Sequence, residues 1–558
     1  MEEAPVRNIN EGPQLPNDPY WLQSNNPQLG HLILGGGSEE FMPHDDDWER
    51  TGEYIGRHTA LEELDFKRMP NVTRENFELL CKGICHNKSI NHLSFMGCNL
   101  FQGKLFEDLI PFFKNNPKLD YVTVDGHDLA EPEAIRLLST ALQKIASASL
   151  SLIIELEHIG GGDVRAGEII RSLFQDPTVA YYYLAFKSSN IQTIGCIELA
   201  NALQDSPSCL AQLDLCGNDI NDEGIVALSV ALAGNDRLDL LELSGNRAIT
   251  IVGWRALFTY LQSTRCALKE VALGQVAFDD STAISLANSL GRNHSLTELD
   301  LSENPAVSDI GWRAIAAVLQ NQHCMLEVLH LEGNFLNEVA VRGLAASLVN
   351  NSRLRELLIY NNWETFTASG LRAFAPVFAS PTSNLEMIRF DPVPNQVVND
   401  AAVDLSVSLV NNKKLKNLIL LNHTAYPTPV SVAFEQVLFN KSSISSTFLS
   451  NHTLQNLGHR SGNLGSYLRM NLDEDKDLVA RQKIMTIHFS GDINIQPFVD
   501  MQLELLPRVI AWMAKKYTVK SRNDSFLLLY QFVRNMQSLF DFNSGARTAQ
   551  QGKKRKLA

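Results

Sequence analysis

Apolar side chains recur along most of this chain in one fixed spacing. Leu210, Leu213 and Leu215 stand three and then two residues apart, with Asn218 and Ile220 closing the phrase. The phrase returns at Leu238, Leu241, Leu243 and Asn246, at Leu296, Leu299, Leu301 and Asn304, and at Leu326, Leu329, Leu331, Asn334 and Leu336. Residues two apart on an extended chain share a side. The second and third apolar positions therefore predict a short strand with one face in a core, and the residues between them face outward. The stretch that follows, such as 222–233, carries Ala227, Leu228, Ala231 and Leu232 at helical spacing and predicts a helix with one apolar stripe. Each unit reads strand, turn, helix.

The first apolar position falls at 61, 90, 119, 151, 179, 210, 238, 268, 296, 326, 354, 385, 415 and 444, in steps of 28 to 32 residues, and Leu29, Leu32 and Leu34 add a unit in front. The fit is loosest at 151, 179 and 444, where Ser151 and Thr447 stand at leucine positions and Lys187 at the asparagine position. Residues 238–295 and 296–353 form a doubled block, in which Gly253, Trp254, Arg255, Ala256 and Cys266 return as Gly311, Trp312, Arg313, Ala314 and Cys324. A single unit cannot bury both its strand face and its helix face, so neighbours must stack and the ends need caps. The asparagine suits the bend because its amide both donates and accepts, serving backbone groups that a sharp turn leaves unpaired. Cys98 and His127 at that position predict a weaker ladder.

On these residues the chain, over roughly 29–455, resembles the ribonuclease-inhibitor-like class of leucine-rich repeats. The resemblance implies an α/β fold: a right-handed leucine-rich-repeat solenoid, or horseshoe, with parallel strands on the concave face, helices on the convex face and a C-terminal helical cap. It also implies an intracellular binding protein, although fold alone does not fix function.

Around the repeats, 1–20 read as a flexible leader, 21–60 as an N-terminal cap with the first repeat, 61–455 as about 14 units, 456–543 as a C-terminal cap and 544–558 as a disordered basic tail. Within the cap, 503–517 and 525–540 predict two helices. The run LELLPRVIAWM resembles the opening of an F-box, which implies a ubiquitin-ligase substrate adaptor. Lys553, Lys554, Arg555 and Lys556 suit a nuclear-import signal.

With 44% hydrophobic and 20% charged residues the composition is that of a folded protein. No run approaches the roughly 18 apolar residues that cross a bilayer. The start, MEEAPVRNINEGPQLPNDPY, has neither the basic beginning nor the apolar stretch of a secretory signal. The eight cysteines lack a disulfide-scaffold spacing. Together these features predict a cytoplasmic or nuclear location. The excess of 63 acidic over 48 basic residues, a net charge of -15, disfavours nucleic acid and membrane and favours a basic protein partner.

No HExxH, GxSxG or kinase motif is present, and the expectation is no enzyme, no cofactor and no metal. The segment 97–105, GCNLFQGKL, places five residues between its glycines and Leu105 where a phosphate-binding loop carries Ser or Thr, so it reads as a turn. Cys81 and Cys85 have no second ligand pair nearby and read as buried thiols rather than a zinc site. The candidate contact surface is the set of outward strand positions. Asp214, Glu242, Glu270, Glu298, Asp300, Glu332 and Glu356 would form an acidic stripe for a basic peptide or domain, unless they only solubilise the strands. Tyr121, Tyr181 and Tyr183 are candidate aromatic anchors. Leu358, Tyr360, Ile419, Leu421 and Phe448 are outward apolar groups, fit for contact or for cover by the terminal helices. The chain is expected to be a non-catalytic interaction scaffold. The alternative is a GTPase-activating protein of the nuclear-transport type, which shares this repeat class and would present Arg57, Arg68 or Arg74.

Overall fold

The computed structural model describes residues 22–511, leaving out 24, 36–39, 45, 70–71, 99–103, 126–135, 138–139, 142–151, 159–160, 176–180, 206–209, 361, 363–366, 391–395, 421–425, 459–461, 489–504, 506 and 509–510. The chain divides into two compact units, Met1–His330 and Leu331–Ala558.

Among the described residues of the first unit, eleven strands pair in parallel and in sequence order: β1 (His31–Gly35), β2 (Glu63–Lys67), β3 (His92–Met96), β4 (Tyr121–Asp125), β5 (Leu152–Glu157), β6 (Tyr181–Lys187), β7 (Gln212–Asp214), β8 (Leu240–Glu242), β9 (Glu270–Ala272), β10 (Glu298–Asp300) and β11 (Val328–His330). Parallel neighbours need a crossover. Helices supply it, among them α1 (Trp48–Arg57), α2 (Arg74–Ile84), α3 (Lys104–Asn115), α4 (Gly162–Leu173), α5 (Thr193–Asp205), α6 (Asp222–Leu232), α7 (Ile251–Leu261), α8 (Asp280–Leu290) and α9 (Asp309–Val318). The register sets Leu213 beside Leu241, then Val271, Leu299 and Leu329, and all five are fully buried. Full burial of such a side chain contributes roughly 1.5–3 kcal/mol. A column of them is what the thirty-residue period supplies.

The second unit repeats the plan with β12 (Glu356–Leu358), β13 (Met387–Arg389) and β14 (Asn417–Ile419), again parallel. Its helices include α10 (Glu338–Leu348), α11 (Ala368–Arg372), α12 (Ala375–Ala379), α13 (Gln396–Ser408), α14 (Thr428–Leu438), α15 (Ile444–Phe448), α16 (Gly462–Met470) and α17 (Lys476–Ile487).

The turn asparagines act as the sequence predicts. Asn246 Nδ2 donates to the carbonyls of Leu215 and Leu243 at 2.9 and 2.8 Å, while its Oδ1 accepts from Ile220 N. Asn218, Asn304 and, in the second unit, Asn362 repeat the arrangement. Cys98 is a reduced version, its thiol reaching Phe66 O at 3.0 Å.

A second asparagine ladder stands at the helix ends, three residues ahead of the first apolar position. Asn87, Asn235, Asn293 and Asn351 each accept from the backbone N–H of that apolar residue. Asn87 and Asn293 also donate to a carbonyl of the preceding unit. A third device links helix starts. Asp222 Oδ1 accepts from Thr250 N and Gly253 N, so the first turn of α6 caps α7. Asp280 does the same for α9, and Asp163 for α5.

Two frames shift from the expected positions. At 179 the true start is Tyr181: Leu184 and Phe186 fill the core positions, and Ser189, not Lys187, stands on the ladder, its N–H donating to Asn218 Oδ1 at 2.9 Å. A register shift between Leu152 and Ile153 absorbs the difference. The frame expected at 444 is instead helical, α15, and the last turn starts at Leu454. There Asn451 accepts from Leu454 N, and Asn456 bridges Asn417.

Within the expected C-terminal cap, the charged stretch after 470 forms α17, started by Asp475, whose side chain accepts from Leu478 N. Helix α17 buries Val479, Ala480, Lys483 and Ile484. Lys483 is fully buried and donates to Leu438 O, Asn451 O and His452 Nδ1 at 2.6, 2.9 and 3.1 Å. Burial, and then the neighbouring Lys476, pull its amine down to about 7. The helices expected at 503–517 and 525–540 and the tail at 553–556 lie largely or wholly outside the described residues.

Candidate interaction face

Leu213 and Leu215 point inward, so Gln212 and Asp214 face out, and the register carries both positions across the sheet of the first unit. One outward row runs Tyr183, Gln212, Leu240, Glu270, Glu298, Val328; the next runs Ala185, Asp214, Glu242, Ala272, Asp300, His330. The acids expected in a single stripe are thus divided between two rows. Glu270 and Glu298 are neighbours in one, and Asp214 and Glu242 in the other.

Each acid of the second row has a backbone duty as well. Asp214, Glu242 and Asp300 accept from the N–H two residues on, at Cys216, Ser244 and Ser302, with distances of 2.9, 2.6 and 2.7 Å. Burial pushes the Glu242 carboxyl up; the Ser244 hydrogen bonds oppose this, and the charges of Asp214 and Asp300 reinforce it. Glu270 is likewise raised, by burial and then by Glu298 and Glu242. His330 Nε2 lies 3.5 Å from Glu298.

Toward β6 the acids are matched by a cation that the sequence reading assigned elsewhere. Lys187 Nζ lies 3.3 Å from Glu155, 3.6 Å from Asp214 and 3.9 Å from Glu157. Burial pulls its ammonium down, but Glu155, Asp214 and Glu157 together outweigh that and hold it above its ordinary range. Tyr183 donates its hydroxyl to Asp214 Oδ2 at 3.0 Å. Burial first, and then Glu155, hold the Tyr121 phenol protonated. The third tyrosine does not join them. Tyr181 is 3% exposed and turned inward, its hydroxyl donating to Leu173 O at 2.9 Å, because the frame shift makes it a core position.

The second unit presents a different surface. One row runs Glu356, Met387, Asn417, and the next runs Leu358, Arg389, Ile419. The Arg389 guanidinium sits 3.9 Å from the centre of the Tyr360 ring. Glu332 is buried, unlike the open stripe position expected for it. Phe448 belongs to α15 rather than to a strand, and Leu421 is outside the described residues. Cys81 is buried, and burial drives its thiol well up, while the Cys85 thiol lies 2.9 Å from Lys82 O. Among the described residues no group of three or more His, Cys, Asp or Glu could hold a metal ion, and no helix is long and apolar enough to cross a membrane.

The repeat geometry agrees with what known proteins show. A family model described as Leucine Rich repeat matches residues 206–229 and 292–316. This chain is a leucine-rich-repeat protein. It is 28% identical over 326 residues to NACHT, LRR and PYD domains-containing protein 14 of Homo sapiens, covering 57% of this chain and 28% of that protein. It is 31% identical over 215 residues to NACHT, LRR and PYD domains-containing protein 12 of Homo sapiens, covering 38% of this chain and 20% of that protein. The matches thus span less than a third of either relative. Among solved structures, a chain of the crystal structure of the Rad7 and Elc1 complex in yeast is similar at a TM-score of 0.40 and 17% identity, over 62% of this chain and 79% of that one.

Proposed function

We propose that this protein is a non-catalytic scaffold that seats a basic protein partner on the outward strand face of its first unit. The observation that carries the reading is the run of Asp214, Glu242, Glu270, Glu298 and Asp300 over four adjacent strands, where burial and the charge of neighbouring acids hold Glu242 and Glu270 up. Carboxylates so arranged gain from any cation brought among them, and their summed field speeds its approach. The relatives named above carry leucine-rich repeats by name, which supports a binding role. The outward groups Leu358, Ile419 and Tyr360 of the second unit are, by themselves, a candidate apolar contact. The segment beyond Leu457 is read as an end cap.

The test is a pull-down from native extract that compares wild type with a variant carrying Glu242→Lys, Glu270→Lys, Glu298→Lys and Asp300→Lys. The variant is expected to lose the basic proteins that wild type captures. An unchanged set of captured proteins rules the reading out.

A further inference from the structure

The outward face at the start of the sheet holds two charge networks with a one-strand interval between them. On β2, Asp65 Oδ2 takes His31 Nε2 at 3.1 Å and Lys67 Nζ at 3.2 Å. On β4 to β7, Tyr121, Glu155, Lys187, Asp214 and Tyr183 are joined as described above. Strand β3 lies between, and its outward residues are His92, Ser94 and Met96, because Leu93 and Phe95 fill the core. The register places Ser94 directly between Asp65 and Thr123, and His92 between Glu63 and Tyr121.

Three atoms bordering this interval are buried without a hydrogen-bond partner: Asp65 Oδ1, Ser94 Oγ and His92 Nε2. Ser94 is 1% exposed and Asp65 6%. A buried polar group left unpaired costs about 1–3 kcal/mol, so two or three side by side call for an occupant. Their chemistry specifies it. A carboxylate oxygen can only accept, and a hydroxyl accepts as readily as it donates. Beside them the rings of His92 and Tyr121 meet edge to face with centroids 4.2 Å apart, an aromatic wall at the interval's edge. Met96, 40% exposed at the next outward position of the same strand, is a flexible flank able to move aside.

We propose that this interval is an arginine seat: a guanidinium from a basic peptide segment donates to Asp65 Oδ1 and Ser94 Oγ and lies against Tyr121. Arginine fits better than lysine because its planar fork offers several donors at once and stacks on aromatic faces. The proposal rests on the docking-face reading above and adds to it a fixed point of specificity, several strands away from the open carboxylates of β7 to β10.

The experiment uses the full chain and a labelled hexa-arginine peptide followed by fluorescence anisotropy, with hexa-lysine and a neutral hexa-citrulline peptide alongside. Ser94→Val and Ser94→Thr add comparable bulk, but only the second keeps a hydroxyl. Wild type is expected to prefer hexa-arginine. Ser94→Val should weaken it about tenfold, the worth of roughly one charged hydrogen bond, while Ser94→Thr stays close to wild type. Asp65→Asn, which keeps the side-chain shape, provides a second route should Ser94→Val fail to fold, and is expected to weaken hexa-arginine more than hexa-lysine. Equal affinities for wild type, Ser94→Val and Asp65→Asn overturn the seat. If the four-lysine variant loses the peptide in that case, the docking face survives without it. If no cationic peptide binds wild type, both readings fall.

Discussion

Asn246 and Glu242 stand four residues apart at one strand exit, yet the inner edge of the turn and the outward strand face treat polar groups in opposite ways. Asn246 is fully buried and matched by backbone on both ends of its amide. Glu242 has one oxygen tied to Ser244 N, and burial with like charge around it raises its carboxyl. Complete pairing makes the first position structural; incomplete compensation makes the second available to a ligand. The contrast repeats within the outward face itself. Near β6 the acids close on Lys187, whereas near β9 and β10 Glu270 and Glu298 stand side by side.

The largest effect should come from the inner edge. Asn246→Ala leaves Ile220 N without its partner and takes one of two donors from Leu215 O and from Leu243 O, and at about 1–3 kcal/mol for a buried group left unpaired, a loss of about 2–3 kcal/mol is expected. Urea denaturation measures it. A loss below about 1 kcal/mol would mean that the ladder is ornamental and the comparison void.

Next in size is the matched half of the face. Lys187→Met leaves Glu155, Glu157 and Asp214 close together with their shared cation gone. Removing one partner of a fully buried pair costs about 3–5 kcal/mol, and discounting for the partial exposure of Lys187 brings the expectation to about 1–2 kcal/mol. Combining it with Asp214→Asn should recover part of that loss. Strict additivity of the two in a double-mutant cycle would show that they do not form a unit.

The ladder, the strand frame and the stacking were legible because each leucine position has one physical requirement repeated at every unit. Sequence reasoning failed where one requirement can be met by different residues. Ser189 fills a ladder site that asparagine usually holds, and that hid the two-residue shift placing Tyr181 inside. The helix-end asparagines were readable and were missed. Asn87, Asn235, Asn293, Asn351, Asn412 and Asn451 all stand three residues before a first apolar position, and Asn451 alone would have moved the last frame from 444 to Leu454. The acids expected in one stripe fall in two rows, with Glu332 buried, because their placement depends on cross-strand register. Nothing in the spacing announced Lys187 as a counterion, since a cation one whole repeat of chain away from its acids leaves no local pattern.

The smallest predicted effect separates the two kinds of carboxylate by pH. Glu242 and Glu270 are raised in the folded state, so the native protein binds protons there more readily than the unfolded chain. By linkage their contribution to stability worsens as pH climbs through the interval above the ordinary glutamate range, and it is relieved on acidification through that interval. Asp222 and Asp279 behave in reverse. Hydrogen bonds from Thr250 and Gly253 overcome burial at the first, and bonds from Thr282 hold the second low, so both stabilise the fold above the ordinary aspartate range and lose that contribution as pH falls below it. Glu242→Gln with Glu270→Gln should therefore raise the melting temperature slightly at pH 7 and flatten its change between pH 7 and about 5, where free glutamate approaches its titration. Asp222→Asn should instead lower it at pH 7 and leave that interval unchanged. If the glutamine pair melts below wild type at neutral pH, the outward carboxylates are held as firmly as the turn asparagines, and a basic partner would have little to gain from them.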